Sequence, residues 1–100
     1  MATNLTALAL MKADLGYFDS AIPAALETYL SSVLDSAAAR IARAKIALVA
    51  GNVDDDVFLS MYAAWLYRKR TEGLAMPQML RDEIRNRQVD DALTELEDLP

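Results

Sequence analysis

Six basic side chains fall between positions 68 and 87: Arg68, Lys69, Arg70, Arg81, Arg85 and Arg87. Cations at this density recognise anions, either nucleic-acid phosphates or the carboxylates of a protein partner. Upstream stands a run of three carboxylates, Asp54-Asp55-Asp56. Carboxylates can hold a hard cation or, when desolvated, move protons. A calcium loop needs acids at alternating positions, a glycine and a distal glutamate, and three adjacent aspartates do not supply that pattern. The run fits the start of a helix better, with one aspartate as N-cap and the others favoured by the positive end of the dipole. Asp82-Glu83, Asp90-Asp91 and the terminal Glu95, Glu97 and Asp98 sit where caps and solvated faces are expected. The chain has no His and no Cys, so it lacks the commonest general base, the commonest transition-metal ligand and any thiol nucleophile. Gly16, Gly51 and Gly73 are isolated and form no phosphate cradle. No catalytic residue, cofactor site or metal site is expected, and the chain reads as a non-enzyme that acts by binding.

The elements that must position these charges are helical. Asn4 or Thr6 can cap a first helix reaching about Leu15, with Leu5, Leu8 and Leu15 on one side and Gly16 closing it. Tyr17-Phe18 then reads as an aromatic plug for the core. Asp19 or Ser20 can cap a second helix with Pro23 in its first turn. Ile22, Leu26, Tyr29, Leu30, Val33, Leu34, Ala37 and Ile41 form its apolar stripe at spacings of three and four,. Ala38, Ala39 and Ala42 widen that stripe with small side chains, suited to internal packing or to a neighbouring subunit. Lys45 to Val53 reads either as more helix or as a short extended run. A third helix carries Val57, Phe58, Met61, Tyr62, Trp65 and Leu66, ends in Arg68-Lys69-Arg70 and closes at Gly73. Pro77 opens a fourth, with Met76, Leu80 and Ile84 on one face and Arg81 and Arg85 on another. Gln88 to Asp90 interrupts the pattern, and Asp91 can cap a weak fifth helix carrying Leu93 and Leu96. The expected fold is all-α, a small bundle of four helices plus a weak C-terminal fifth.

Bulk properties agree with one small domain. One hundred residues, 54% hydrophobic and 25% charged, describe a globular chain that buries about two thirds of its unfolded surface. Met1 to Leu15 lacks a basic leader and carries Lys12 and Asp14, so no secretory signal is expected. No apolar run approaches the roughly 20 residues of a membrane span, and the cytoplasm is the expected place of synthesis. The net charge of −5 is unevenly spread: positions 1–50 balance, Asp54–Asp56 are acidic, 68–87 are basic in excess, and 88–100 are acidic. Opposite blocks suit charge-matched contacts more than general polyanion binding. A helix-turn-helix with the fourth helix as DNA reader is the alternative. The negative total and the long turn from Thr71 to Met76 weigh against it.

Met61-Tyr62-Ala63-Ala64-Trp65-Leu66-Tyr67-Arg68-Lys69-Arg70, then Met76-Pro77, Met79-Leu80 and Arg85-Asn86-Arg87, resembles the second half of tailed-phage head–tail connector (adaptor) proteins. Leu10-Met11-Lys12-Ala13-Asp14-Leu15-Gly16, Tyr29-Leu30 and the helix ending in Ile41 fit the first half. The resemblance spans about residues 5–87, and 61–81 is its specific part. It implies a viral structural protein in the virion neck: a subunit of a closed ring, commonly dodecameric, that binds the portal protein, extends the DNA channel and receives a tail or stopper protein. DNA would pass without specific binding. On this reading residues 1–87 are the connector domain and 88–100 an acidic C-terminal arm that departs from the family pattern. Arg68, Lys69, Arg70, Arg81, Arg85 and Arg87 become candidates for subunit or portal contacts. Asp54, Asp55 and Asp56 become a candidate acidic loop facing the channel.

Overall fold

The computed structural model describes residues 4–17, 22–73 and 75–97, and among these the side chains of all but 71, 72 and 91–97. Four α-helices follow one another: α1 (Leu5–Asp14), α2 (Ala24–Arg43), α3 (Val53–Glu72) and α4 (Gln78–Glu97). There is no strand among the described residues. α3 is the central element and packs against α1, α2 and α4, while α1 also touches α2.

The helix ends follow local chemistry. The Asn4 side chain accepts from the Ala7 amide and caps α1. Asn52 caps α3 through the Asp55 amide, which corrects the expectation that an aspartate of the 54–56 run is the cap. Those aspartates occupy the first turn of α3, where the helix dipole favours them,. They are helix, not loop. Pro23 stands at the N-cap of α2 rather than inside its first turn, because its missing N–H costs nothing there. Asp19, Ser20 and Phe18 lie outside the described residues.

Two helices end in the same hydrogen-bond pattern. At α1, the Tyr17 amide donates to the Lys12 carbonyl and the Gly16 amide to Ala13, with Gly16 at φ +91°. At α2, the Ile46 amide donates to Ile41 and the Lys45 amide to Ala42, with Lys45 at φ +67°. This Schellman closure stops α2 at Arg43, so the ambiguous stretch after Lys45 is neither helix nor strand,. Ile46 buries itself against the core as the hydrophobic partner of that closure.

The core contains Met11, Leu30, Leu34, Ile41 and Leu80, each almost wholly buried. The α2 stripe faces inward as its spacing predicts: Leu30, Val33, Leu34, Ala37 and Ile41 are buried, and Ile22, Leu26 and Tyr29 pack partly against them. α3 differs from expectation. Ala63 and Ala64 are fully buried, with Phe58, Leu59 and Ser60, while Met61, Tyr62, Trp65 and Leu66 are only half-buried and Val57 is 38% exposed. A helix covered by three neighbours is enclosed on most sides, so a single stripe does not describe it. Alanines at the crossings (Ala7, Ala37, Ala63 and Ala64, all at 0% exposure) let the axes approach toward the ~8 Å limit of helix packing.

α4 corrects a second expectation. It runs unbroken through Gln88–Asp90 to Glu97, so Asp91 is interior and the weak fifth helix is the second half of α4.

Lys45 holds a left-handed conformation that glycine adopts without penalty. Lys45→Gly should stabilise the fold by about 1 kcal/mol, raising the melting temperature by about 4–8 °C. Gly16→Ala should lower it by a similar amount, although a methyl group there would meet nothing within 4 Å. Thermal unfolding followed by circular dichroism measures both.

Candidate functional site

The basic end of α3 is largely used inside the chain. Arg68 Nη2 donates to the Asp14 carbonyl at 2.7 Å, and its Nη1 lies 3.6 Å from the Asp14 carboxylate. It thereby satisfies a terminal carbonyl of α1. Lys69 lies over the Trp65 ring at 5.1 Å, and Arg70 over the Tyr29 and Tyr67 rings at 4.6 and 5.7 Å. Such contacts orient the cations and anchor the α3 end on α2. A hydrogen bond with Tyr17, together with burial, pushes the Tyr67 hydroxyl above its ordinary value against the opposing pull of Arg70.

The opposite end of α3 carries a tighter cluster. Arg87 Nη1 meets Asp55 Oδ1 at 2.6 Å, and its Nε meets Glu83 Oε1 at 2.8 Å. Its Nη2 donates to the Asp54 carbonyl at 3.3 Å, and its guanidinium lies 4.5 Å over the Phe58 ring. The second oxygen of Asp55 accepts from the Val49 amide at 2.9 Å. Burial raises the Asp55 pKa, but hydrogen bonds from Arg87 and Val49 and the Arg87 charge outweigh it and hold the carboxyl below its ordinary value. Asp56 is buried and accepts from Asn4 Nδ2 at 2.8 Å. The candidate acidic loop thus resolves into two internal fasteners, Asp55 and Asp56, and one exposed side chain, Asp54.

Of the six basic candidates, Arg68, Lys69, Arg70 and Arg87 have these intramolecular partners. Arg81 and Arg85 are exposed, one helical turn apart on α4, and form no ion pair among the described residues. The structure does not gather the six into one patch: Arg68–Arg70 lie at the C-terminal end of α3 and Arg87 at its N-terminal end.

Sequence reasoning missed a groove. Ala38, Ala39 and Ala42 of α2 form one wall, Leu48 and Val49 another, and Leu59 lies between them, around a space of about 580 Å³. The small α2 residues were visible in the sequence, but the opposing wall comes from a segment with no periodicity to read. A shallower depression of about 430 Å³ between α3 and α4 is lined by Val57, Met61 and Met79. Among the described residues no group of three or more potential ligands could hold a metal ion, and no helix is long and apolar enough to cross a membrane. Comparison with family models, with curated protein sequences and with solved structures finds no match.

Replacing Arg87 with Met keeps most of the apolar stem over Phe58 but strips Asp55 of its cation. Arg87→Met should cost about 2 kcal/mol near neutral pH. Because folding lowers the Asp55 pKa, this contribution is complete above the ordinary value of 3.8 and fades as pH falls through the lower folded value. Urea denaturation of both proteins from neutral to strongly acid pH should show the gap narrowing only below that point.

Proposed function

We propose that this chain is a head–tail connector subunit of a tailed phage, acting by assembly and not by catalysis. In this role copies close into a ring, commonly of twelve in the family it resembles, that docks on the portal protein. The ring extends the DNA channel and receives a tail or stopper protein. The observation that carries the reading is the division of charge. Arg68, Lys69, Arg70 and Arg87 engage their own subunit, whereas Arg81 and Arg85 project from α4 with no ion pair among the described residues. Acid is concentrated elsewhere, at the exposed Asp54 and in positions 88–100. Unlike surfaces of opposite sign on one subunit suit a head-to-tail contact, the kind that closes into a ring. A net charge of −5 also suits a channel wall that lets phosphates slide past instead of gripping them.

The alternative is a small DNA-binding regulator reading bases with α4. Arg81 and Arg85 lie on the helix that follows the α3–α4 connection, as such a reader would need,. The acidic second half of the same helix would repel the duplex it had to approach.

Light scattering separates the two. The purified chain, alone or mixed with the portal protein of the same genome, should form a ring-sized species without DNA. Arg81→Glu/Arg85→Glu should weaken that assembly while changing stability by less than about 0.5 kcal/mol. Intact rings from the double variant at raised salt would remove Arg81 and Arg85 from the contact. A monomer or dimer that ignores the portal but shifts on DNA at low salt would overturn the connector reading.

A further inference from the structure

Five of the ten basic residues are used inside the chain: Lys12 against Glu27, Arg68 on Asp14, Lys69 and Arg70 over aromatic rings, and Arg87 on Asp55. The other five, Arg40, Arg43, Lys45, Arg81 and Arg85, are exposed and have no ion pair or ring contact among the described residues. One hydrogen bond brings the two groups together. Gln88 Nε2 donates to the Ala44 carbonyl at 3.0 Å and fixes α4 on the end of α2. Arg81, Arg85 and Gln88 are spaced four and three apart, so they share one face of α4, the face that meets α2,. Arg81 stands about 10 Å along the axis from Gln88. Arg40 and Arg43 lie in the last turn of α2, and Lys45 directly follows Ala44. The acids on the same half of α4 are engaged elsewhere: Asp82 accepts from Gln78, and Glu83 from Arg87.

Local helix chemistry explains only part of this patch. Arg40 and Arg43 complement the carbonyl end of α2,. Lys45 is held at φ +67°, where glycine would be favoured, so a cation is kept there against the backbone preference,. The first turn of α4 has no acid and its last turn no base, the reverse of what its dipole favours,. We infer that the α2–α4 junction binds an acidic, carboxylate-rich segment of a partner protein. The inference deepens the assembly reading above and rests on it only in taking the partner to be a protein. Four of the five cations are arginines, whose planar forks pair bidentately with carboxylates. Phosphates would suit the same forks, but the surroundings do not suit nucleic acid. A single strand is held by aromatic platforms beside the cations, and positions 40–45 and 78–90 contain no aromatic residue. A duplex is longer than the patch and would run onto the acidic second half of α4, in a chain of net charge −5. A short acidic segment escapes that repulsion, because the fields of exposed charges are screened beyond about 8 Å at physiological salt.

The probe is a labelled oligoglutamate peptide, titrated with the full chain and followed by fluorescence anisotropy. It should bind at low salt and be released as salt rises. Arg43→Gln/Lys45→Gln and Arg81→Gln/Arg85→Gln should each weaken binding by about five- to tenfold, as the loss of two exposed charge contacts would, with the helical circular dichroism unchanged. Ala9→Glu/Ala13→Glu, at exposed positions of α1, changes the net charge as much and should leave the affinity within about twofold. No binding of the peptide, a loss confined to one of the two patch variants, or an equal loss in the α1 variant overturns the inference. Tighter binding of single- or double-stranded DNA of the same charge also overturns it and assigns the patch to phosphates. Light scattering keeps the two readings apart. Rings from a chain that ignores the peptide leave the assembly reading standing and end this one; peptide binding by a chain that never forms rings does the opposite.

Discussion

The first turn of α3 is where all four helices are fastened. Asp56 takes the Asn4 amide, and Asn4 is also the cap of α1. Asp55 takes Arg87 from α4 with one oxygen and the Val49 amide, on the segment leaving α2, with the other. Asn52 caps α3 itself. Three adjacent aspartates would repel one another on an open surface. Here the helix N-terminus favours all three, the Arg87 guanidinium meets Asp55 and the Asn4 amide meets Asp56,. The rest of the bundle is apolar contact, which is strong but tolerant of sliding. Directional bonds at one end of α3 set the register in which those contacts are made.

Features written in local sequence were legible. Asn4, Gly16 and Gly73 mark helix ends by their own chemistry, and the α2 stripe needs only a spacing of three and four. What depended on distant residues was not legible. Nothing near Asp56 announces Asn4, and nothing near Arg87 announces Asp55, separated from it by 32 positions. The aromatics of α3 drew attention as its core face because they are large. The fully buried positions are instead Ala63 and Ala64, since a helix at the centre of a bundle needs small residues where its neighbours cross. The apparent break at Gln88–Asp90 is a break in the apolar pattern alone, since the helix continues through it.

Charge in this chain follows the same division between near and far. Arg68, Lys69, Arg70 and Arg87 read as one basic block only when written in a line. In space they serve two ends of α3 and contact α1, α2, and the carboxylates and Phe58 ring beside α4. A basic segment is therefore weak grounds for nucleic-acid binding until the internal partners of its cations have been subtracted. After that subtraction the remaining cations are few and fall on two elements: Arg81 and Arg85 on the first half of α4, and Arg40, Arg43 and Lys45 at the end of α2.

The first half of α4 shows how its attachment is specified. It binds inward through Leu80, Ile84 and Arg87. Leu80 and Ile84 are one helical turn apart and supply apolar contact, which alone tolerates sliding. Arg87 adds a directional bond, because its guanidinium must meet Asp55, Glu83 and the Phe58 ring at once. Because the helix is continuous, the direction of its second half follows from the first. The Arg87–Asp55 pair, which holds α4 on α3, thus also sets the course of the rest of α4.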